Sequence, residues 1–162
     1  MPDQEQILAA LATLVDAVDD TGKILTRERH AESEVETIRL LRNLNNQVGH
    51  GWIINFISFE QRRDGQCEVL RTLKYSLEAF YPYEDRRSDG ANSTEKFRAM
   101  IEAVNDALIA ESAWDLGFGN LVENLFPQAV EDFSVVRWGE GADAILTHYA
   151  VFELSVAVSV FL

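Results

Sequence analysis

The chain has one cysteine, Cys67, and three histidines, His30, His50 and His148. A lone thiol excludes an intramolecular disulfide and suits a reducing compartment. No histidine lies three to five residues from another histidine or cysteine, so the spacing of a Cys/His zinc site is missing. Basic side chains are also scarce: 14 Lys and Arg stand against 27 Asp and Glu, a formal net charge of −13. Such a surface repels phosphate backbones and anionic lipid, which disfavours wrapping by nucleic acid. Long apolar runs are absent. The most apolar stretch, AVFELSVAVSVFL, contains Glu153 and is too short to cross a bilayer as a helix. The opening MPDQEQ has no basic region followed by an apolar one, so no signal peptide is expected. These absences predict a soluble, cytoplasmic chain with no membrane partner.

Catalytic signatures are missing too. There is no G-x-S-x-G, and Cys67 sits at a hairpin exit without a nearby histidine. Gly49-His50-Gly51 and Gly139-Glu140-Gly141 lack the phosphate-cradle pattern and a following Lys-Ser/Thr, so they read as turns. Asp19-Asp20 and Glu84-Asp85 could seat a hard cation, but neither has the alternating ligands of a calcium loop. His148, on an apolar strand face, reads as a core histidine hydrogen-bonded to backbone. No catalytic residue, cofactor or metal is expected, and the chain is not expected to be an enzyme.

What is present is strong periodicity. Ile7, Leu8, Leu11, Leu14, Val15 and Val18 repeat at helical spacing, with Asp3 and Gln6 placed as a capping box and Gly22 as the stop. Lys23 to Arg29 is too short for a helix and predicts a strand. Val35, Ile38, Leu41, Leu44 and Val48 suggest a second helix. WIINFISFEQ then reads as a strand, and Arg62-Arg63-Asp64-Gly65 as a hairpin turn. From Glu68 to Tyr81 a period of two holds throughout, with Val69, Arg71, Leu73, Tyr75, Leu77, Ala79 and Tyr81 on one face. A polar loop follows, PYEDRRSDGANS. Phe97, Met100, Ile101, Val104 and Leu108 then mark another helix. Trp114 to Pro127 looks irregular, Phe133 to Trp138 a short strand, and the run from Ala144 alternates to the end. The order α-β-α-β-β-α-β-β predicts a single α+β domain over residues 1–162. Its sheet would be mixed but mainly antiparallel, with a β-hairpin and two to three helices packed on it.

Two features suggest contact with other proteins. Trp52, Phe56, Phe59, Tyr75, Phe80, Tyr81 and Tyr83 are more aromatics than one sheet face in a small domain hides, so most are expected in the core and the remainder in an exposed patch. The last strand would also reach roughly 60 Å at about 3.3 Å per residue, longer than such a domain is wide. It must either bend at a bulge or leave the domain, where its open edge would pair with a neighbour.

In this order the motifs resemble the tail terminator (tail completion) proteins of long-tailed bacteriophages. The helix and Gly-Lys strand are LAALATLVDAVDDTGKIL, the Trp-led strand is GWIINF, and the Ser-x-x-x-Phe helix is STEKFRAMIEAVNDAL. The Gly turn and His-Tyr strand are GEGADAILTHYAVFELSV. The likeness covers nearly the whole length, and its weight lies in the order of the motifs.

The resemblance implies a virion protein assembled in the host cytoplasm, a ring usually of six subunits that caps the tail tube and stops its growth. Its partners would be copies of itself, the tail tube protein and a neck or head-completion protein. Genomic DNA would pass the acidic lumen without specific binding. No catalytic or cofactor residue carries over. For the subunit and tube interface the sequence offers Glu84, Asp85, Arg86, Arg87 and Asp89 in the polar loop, and Val158, Val160 and Phe161 in the final strand. Two alternatives stay open: another neck or head-closure ring of the same junction, and a small acidic immunity or antitoxin protein complementing a basic toxin.

Overall fold

The computed structural model describes residues 2–26, 50–63, 65–83, 93–110, 114–127, 131–138, 140–141 and 145–161. Helix α1 (Gln4–Asp16) begins at the expected capping box. Asp3 Oδ1 accepts from the Gln6 N–H at 2.8 Å, and Gln6 Oε1 accepts from the Asp3 N–H at 3.0 Å. Ile7, Leu11 and Val15, four residues apart, form its buried stripe. The chain then turns through left-handed backbone at Asp20 (φ +62°) and Gly22 (φ +77°). At Gly22 a side chain is excluded on two grounds, because a Cβ there would also collide with the His50 carbonyl. Strand β1 (Lys23–Leu25) is shorter than the sequence suggested; Thr26 lies beyond it, and the rest of that run is outside the described residues. So is the predicted helix from Val35 to Val48.

Strands β2 (Gly51–Arg63) and β3 (Glu68–Pro82) form the predicted antiparallel hairpin. Helix α2 (Ser93–Ile109) buries Phe97, Met100, Ile101, Val104 and Leu108, as its spacing predicts. A short 3-10 turn (Gly119–Leu121) leads to β4 (Val122–Pro127), β5 (Glu131–Trp138) and β6 (Ile145–Phe161). The sheet order is β1-β2-β3-β6-β4, with β5 also on β6; β1 runs parallel to β2 and the other pairings are antiparallel. The mixed, mainly antiparallel α+β architecture is therefore the one expected.

Two expectations need correction. The stretch before Pro127 is not wholly irregular, since β4 pairs with β6 from Val122↔Val158 to Pro127↔Leu154. VENLFP has no period-two pattern of its own; its strand conformation comes from the β6 edge beside it. The long final strand neither leaves the domain nor is interrupted by a bulge against β3. It pairs without a break from Glu68↔Phe161 to Pro82↔Thr147, because β3 is itself 15 residues long. On the other edge of β6, β5 lies along the first half and β4 along the second.

One face of the sheet carries the helices. Trp52 and Ile54 from β2, Leu73, Tyr75, Leu77 and Ala79 from β3, and Phe152, Leu154 and Val156 from β6 pack with the stripes of α1 and α2. The Tyr75 hydroxyl reaches the Gln4 carbonyl at 3.2 Å and ties the sheet to the first turn of α1. Burial holds that phenol well above its ordinary range. The opposite face has a smaller cluster of Ile53 and Phe80 with Leu25, Trp138 and Tyr149, the Phe80 and Tyr149 ring centroids 5.3 Å apart.

Candidate assembly surface

The four motifs that carry the resemblance meet in space. Gly22, Lys23 and Ile24 follow α1, and Lys23 and Ile24 pair in parallel with Gly51 and Trp52 of the Trp-led strand. Trp52 packs on Phe152 of the His-Tyr strand, ring centroids 5.6 Å apart. Ser93 and Phe97, the two ends of Ser-x-x-x-Phe, both grip His148. Ser93 Oγ lies 2.9 Å from His148 Nε2, and the Phe97 ring stacks on the imidazole at 5.3 Å and 19°. An i, i+4 pair on one helix face is thus spent on one histidine.

This corrects the expected backbone partner of His148: a serine hydroxyl holds it. Ser and His at that distance also form the first two members of a nucleophilic triad, but Ser93 is 3% and His148 4% exposed. Neither presents an atom to a substrate, and burial lowers the histidine's pKa. The pair fastens the start of α2 to β6. Its signal in the sequence was the Ser-x-x-x-Phe motif itself, once β6 is known to lie beneath it.

A cleft of about 440 Å³ opens beside this junction, lined by Asp19, Asp20, His50, Tyr81, Lys96 and Met100 among others. His50 Nε2 lies 3.0 Å from the Asp20 carbonyl; a carbonyl only accepts, so that nitrogen carries the proton. The opposed charges of Lys96 and the two aspartates give the cleft no single ligand sign. Among the described residues no three His, Cys, Asp or Glu gather as a metal site.

The expected interface residues fall out unevenly. Glu84, Asp85, Arg86, Arg87 and Asp89 lie outside the described residues. Val158 was expected to meet a neighbour but is 1% exposed and belongs to the core, because β3, β4 and β6 run side by side there. Val160 is half-buried, and Phe161 pairs through its backbone with Glu68.

The surface that does emerge is the distal part of the hairpin. Between Phe56↔Tyr75 and Ser58↔Lys74 the register slips, leaving Ile57 as an extra residue in a bulge. The slip exchanges the faces of β2, so Phe59 comes opposite Leu73, Gln61 opposite Arg71 and Arg63 opposite Val69, all on the helix-bearing face. Phe59 and Ile57 are nonetheless each 51% exposed. Arg71 lies over the Phe59 ring at 5.3 Å and donates to Gln61 Oε1 at 2.8 and 3.2 Å. On the other face Lys74 and Glu60 pair at 2.6 Å, which raises the pKa of the ammonium and lowers that of the carboxyl. Of the aromatics noted in the sequence, Trp52, Tyr75 and Phe80 are buried and Phe56 and Tyr81 half-buried, while Phe59 and Tyr83 remain at the surface.

Neither a protein-family model nor a curated protein matches this chain. Among the described residues no helix is long and apolar enough to cross a membrane.

Proposed function

We propose that this chain is a structural virion protein of the tail-terminator kind. It forms a ring, six-membered by that resemblance, which caps a phage tail tube, stops its polymerisation and joins it to the neck. The observation that carries the proposal is the mutual contact of the four motifs on which the resemblance rests: the Gly-Lys strand beside the Trp strand, Trp52 on Phe152, and Ser93 with Phe97 on His148. The resemblance takes its weight from the order of these motifs, and their contacts hold the same segments in one packed unit. The exposed distal hairpin adds a surface of the sort that assembly requires. A net charge of −13 on each copy would make an acidic annulus through which DNA slides without sticking.

The decisive experiment joins light scattering with negative-stain microscopy, in solution and on purified tail tubes. Rings of about six subunits with a central hole, or caps at one end of the tube, are the expected result. A chain that stays monomeric and leaves tube length unchanged would overturn the proposal.

A further inference from the structure

The distal hairpin reverses the charge of the molecule. Residues 58–74 hold Arg62, Arg63, Arg71 and Lys74 against Glu60, Asp64 and Glu68, a net of +1, while the rest of the chain carries −14. Lys74 is already engaged by Glu60 on the polar face. Arg71 is different: an amide and an aromatic ring hold its guanidinium in place, and no carboxylate among the described residues is paired with it. Arg63 lies on the same face, exposed, with one hydrogen bond to the Gln66 carbonyl at 3.2 Å. Beside these cations Phe59 offers half of its ring to solvent. An oriented arginine with an exposed aromatic is the composition enriched at the centres of protein interfaces.

Helix α2 carries the complement. Its outward stripe runs through Glu95, Arg98, Glu102 and Asp106 at spacings of three to four residues, all exposed, and ends at Ile109, which is 52% exposed. That stripe holds three carboxylates and one guanidinium, with an apolar terminus.

We propose that the hairpin arm of one copy docks on the outward stripe of α2 in a second copy. Arg63 and Arg71 face Glu102 and Asp106, and Phe59 meets Ile109. The two patches are different parts of the chain, so the contact is heterologous: each copy gives an arm and receives one, and a closed series of such contacts is a ring. The proposal rests on the ring-forming role for the existence of the second copy, and adds which surfaces meet.

Charge exchange tests it on the full chain, read by light scattering and sedimentation. The Arg63→Glu, Arg71→Glu pair should reduce self-association at least about tenfold, and Glu102→Arg with Asp106→Arg should do the same. Combining all four substitutions in one chain should restore assembly. Phe59→Ser provides a second probe without changing charge, and should weaken assembly while circular dichroism stays native. Rings that form equally well with the arm substitutions would overturn the docking while leaving the ring itself intact. So would failure of the four-fold variant to recover when each pair alone disrupts. If the unaltered chain forms no ring in solution or on tubes, both the ring and the docking fall.

Discussion

Strand β2 passes through two environments, and alternation along it has opposite consequences in each, while Leu73 beside it on β3 and Val156 and Val158 on β6 stay buried. Beneath α1 and α2, Trp52, Tyr75 and Phe152 are 0% exposed. Past the bulge at Ile57, Phe59 stands on the same face opposite Leu73 and is 51% exposed. Alternation determines which side chains share a face; what lies over that face determines whether they are core. The covered end should therefore govern stability and the bare end association.

The largest effect should come from the covered end. Phe152→Ala removes a ring packed against Trp52 in the centre of the core and should cost about 3–5 kcal/mol, read as a fall in the urea midpoint at unchanged slope. A loss below about 1 kcal/mol would mean that this end is not the stabilising one. Next is Gly22→Ala, which forces a side chain into left-handed backbone and against the His50 carbonyl. About 2 kcal/mol or more should be lost, because β1 and β2 cannot separate without giving up their pairing.

A smaller, pH-dependent effect belongs to the junction of α2 with β6. Burial lowers the folded pKa of His148 below its ordinary 6.5, so the unfolded chain binds the extra proton first. The stability from keeping the ring neutral is complete above about pH 6.5 and is lost as pH falls below it toward the folded value. One such site tilts stability by at most about 1.4 kcal/mol per pH unit. Urea midpoints at pH 7.5 and 5.5 should show the loss in the native chain and a flatter profile in His148→Gln. Equal slopes in the two proteins would remove His148 as the cause.

How much of this was legible depends on how local the determinant is. The capping box at Asp3 and Gln6, the stripes of both helices and the long alternation of β3 are written in neighbouring residues, and all appear as expected. Strand β4 is not legible because VENLFP takes its conformation from β6, about thirty residues downstream. The length of β6 exceeds the width of a domain but not the reach of its partner, because β3 pairs with it over all 15 of its residues, a match between two segments far apart in the chain. For the same reason the burial of Val158 by two neighbouring strands is invisible in its own segment. The exposed ring of Phe59 depended on one extra residue at Ile57, and a one-residue slip leaves no mark on composition or period.

The smallest effect on stability should come from the bare end, and it separates the two environments most cleanly. Phe59→Ser removes a half-exposed ring and its contact with Arg71, but leaves the backbone ladder to Leu73 in place. A cation–π contact at an exposed site is worth about 0.5–1 kcal/mol, so the urea midpoint should move by less than one-third of the Phe152→Ala shift. Solubility should rise, since an exposed apolar ring is lost from a surface that is otherwise acidic. If Phe59→Ser instead unfolded the chain as severely as the core truncation, the hairpin beyond Ile57 would be part of the core and not an arm. The contrast between the two ends of β2 would then disappear.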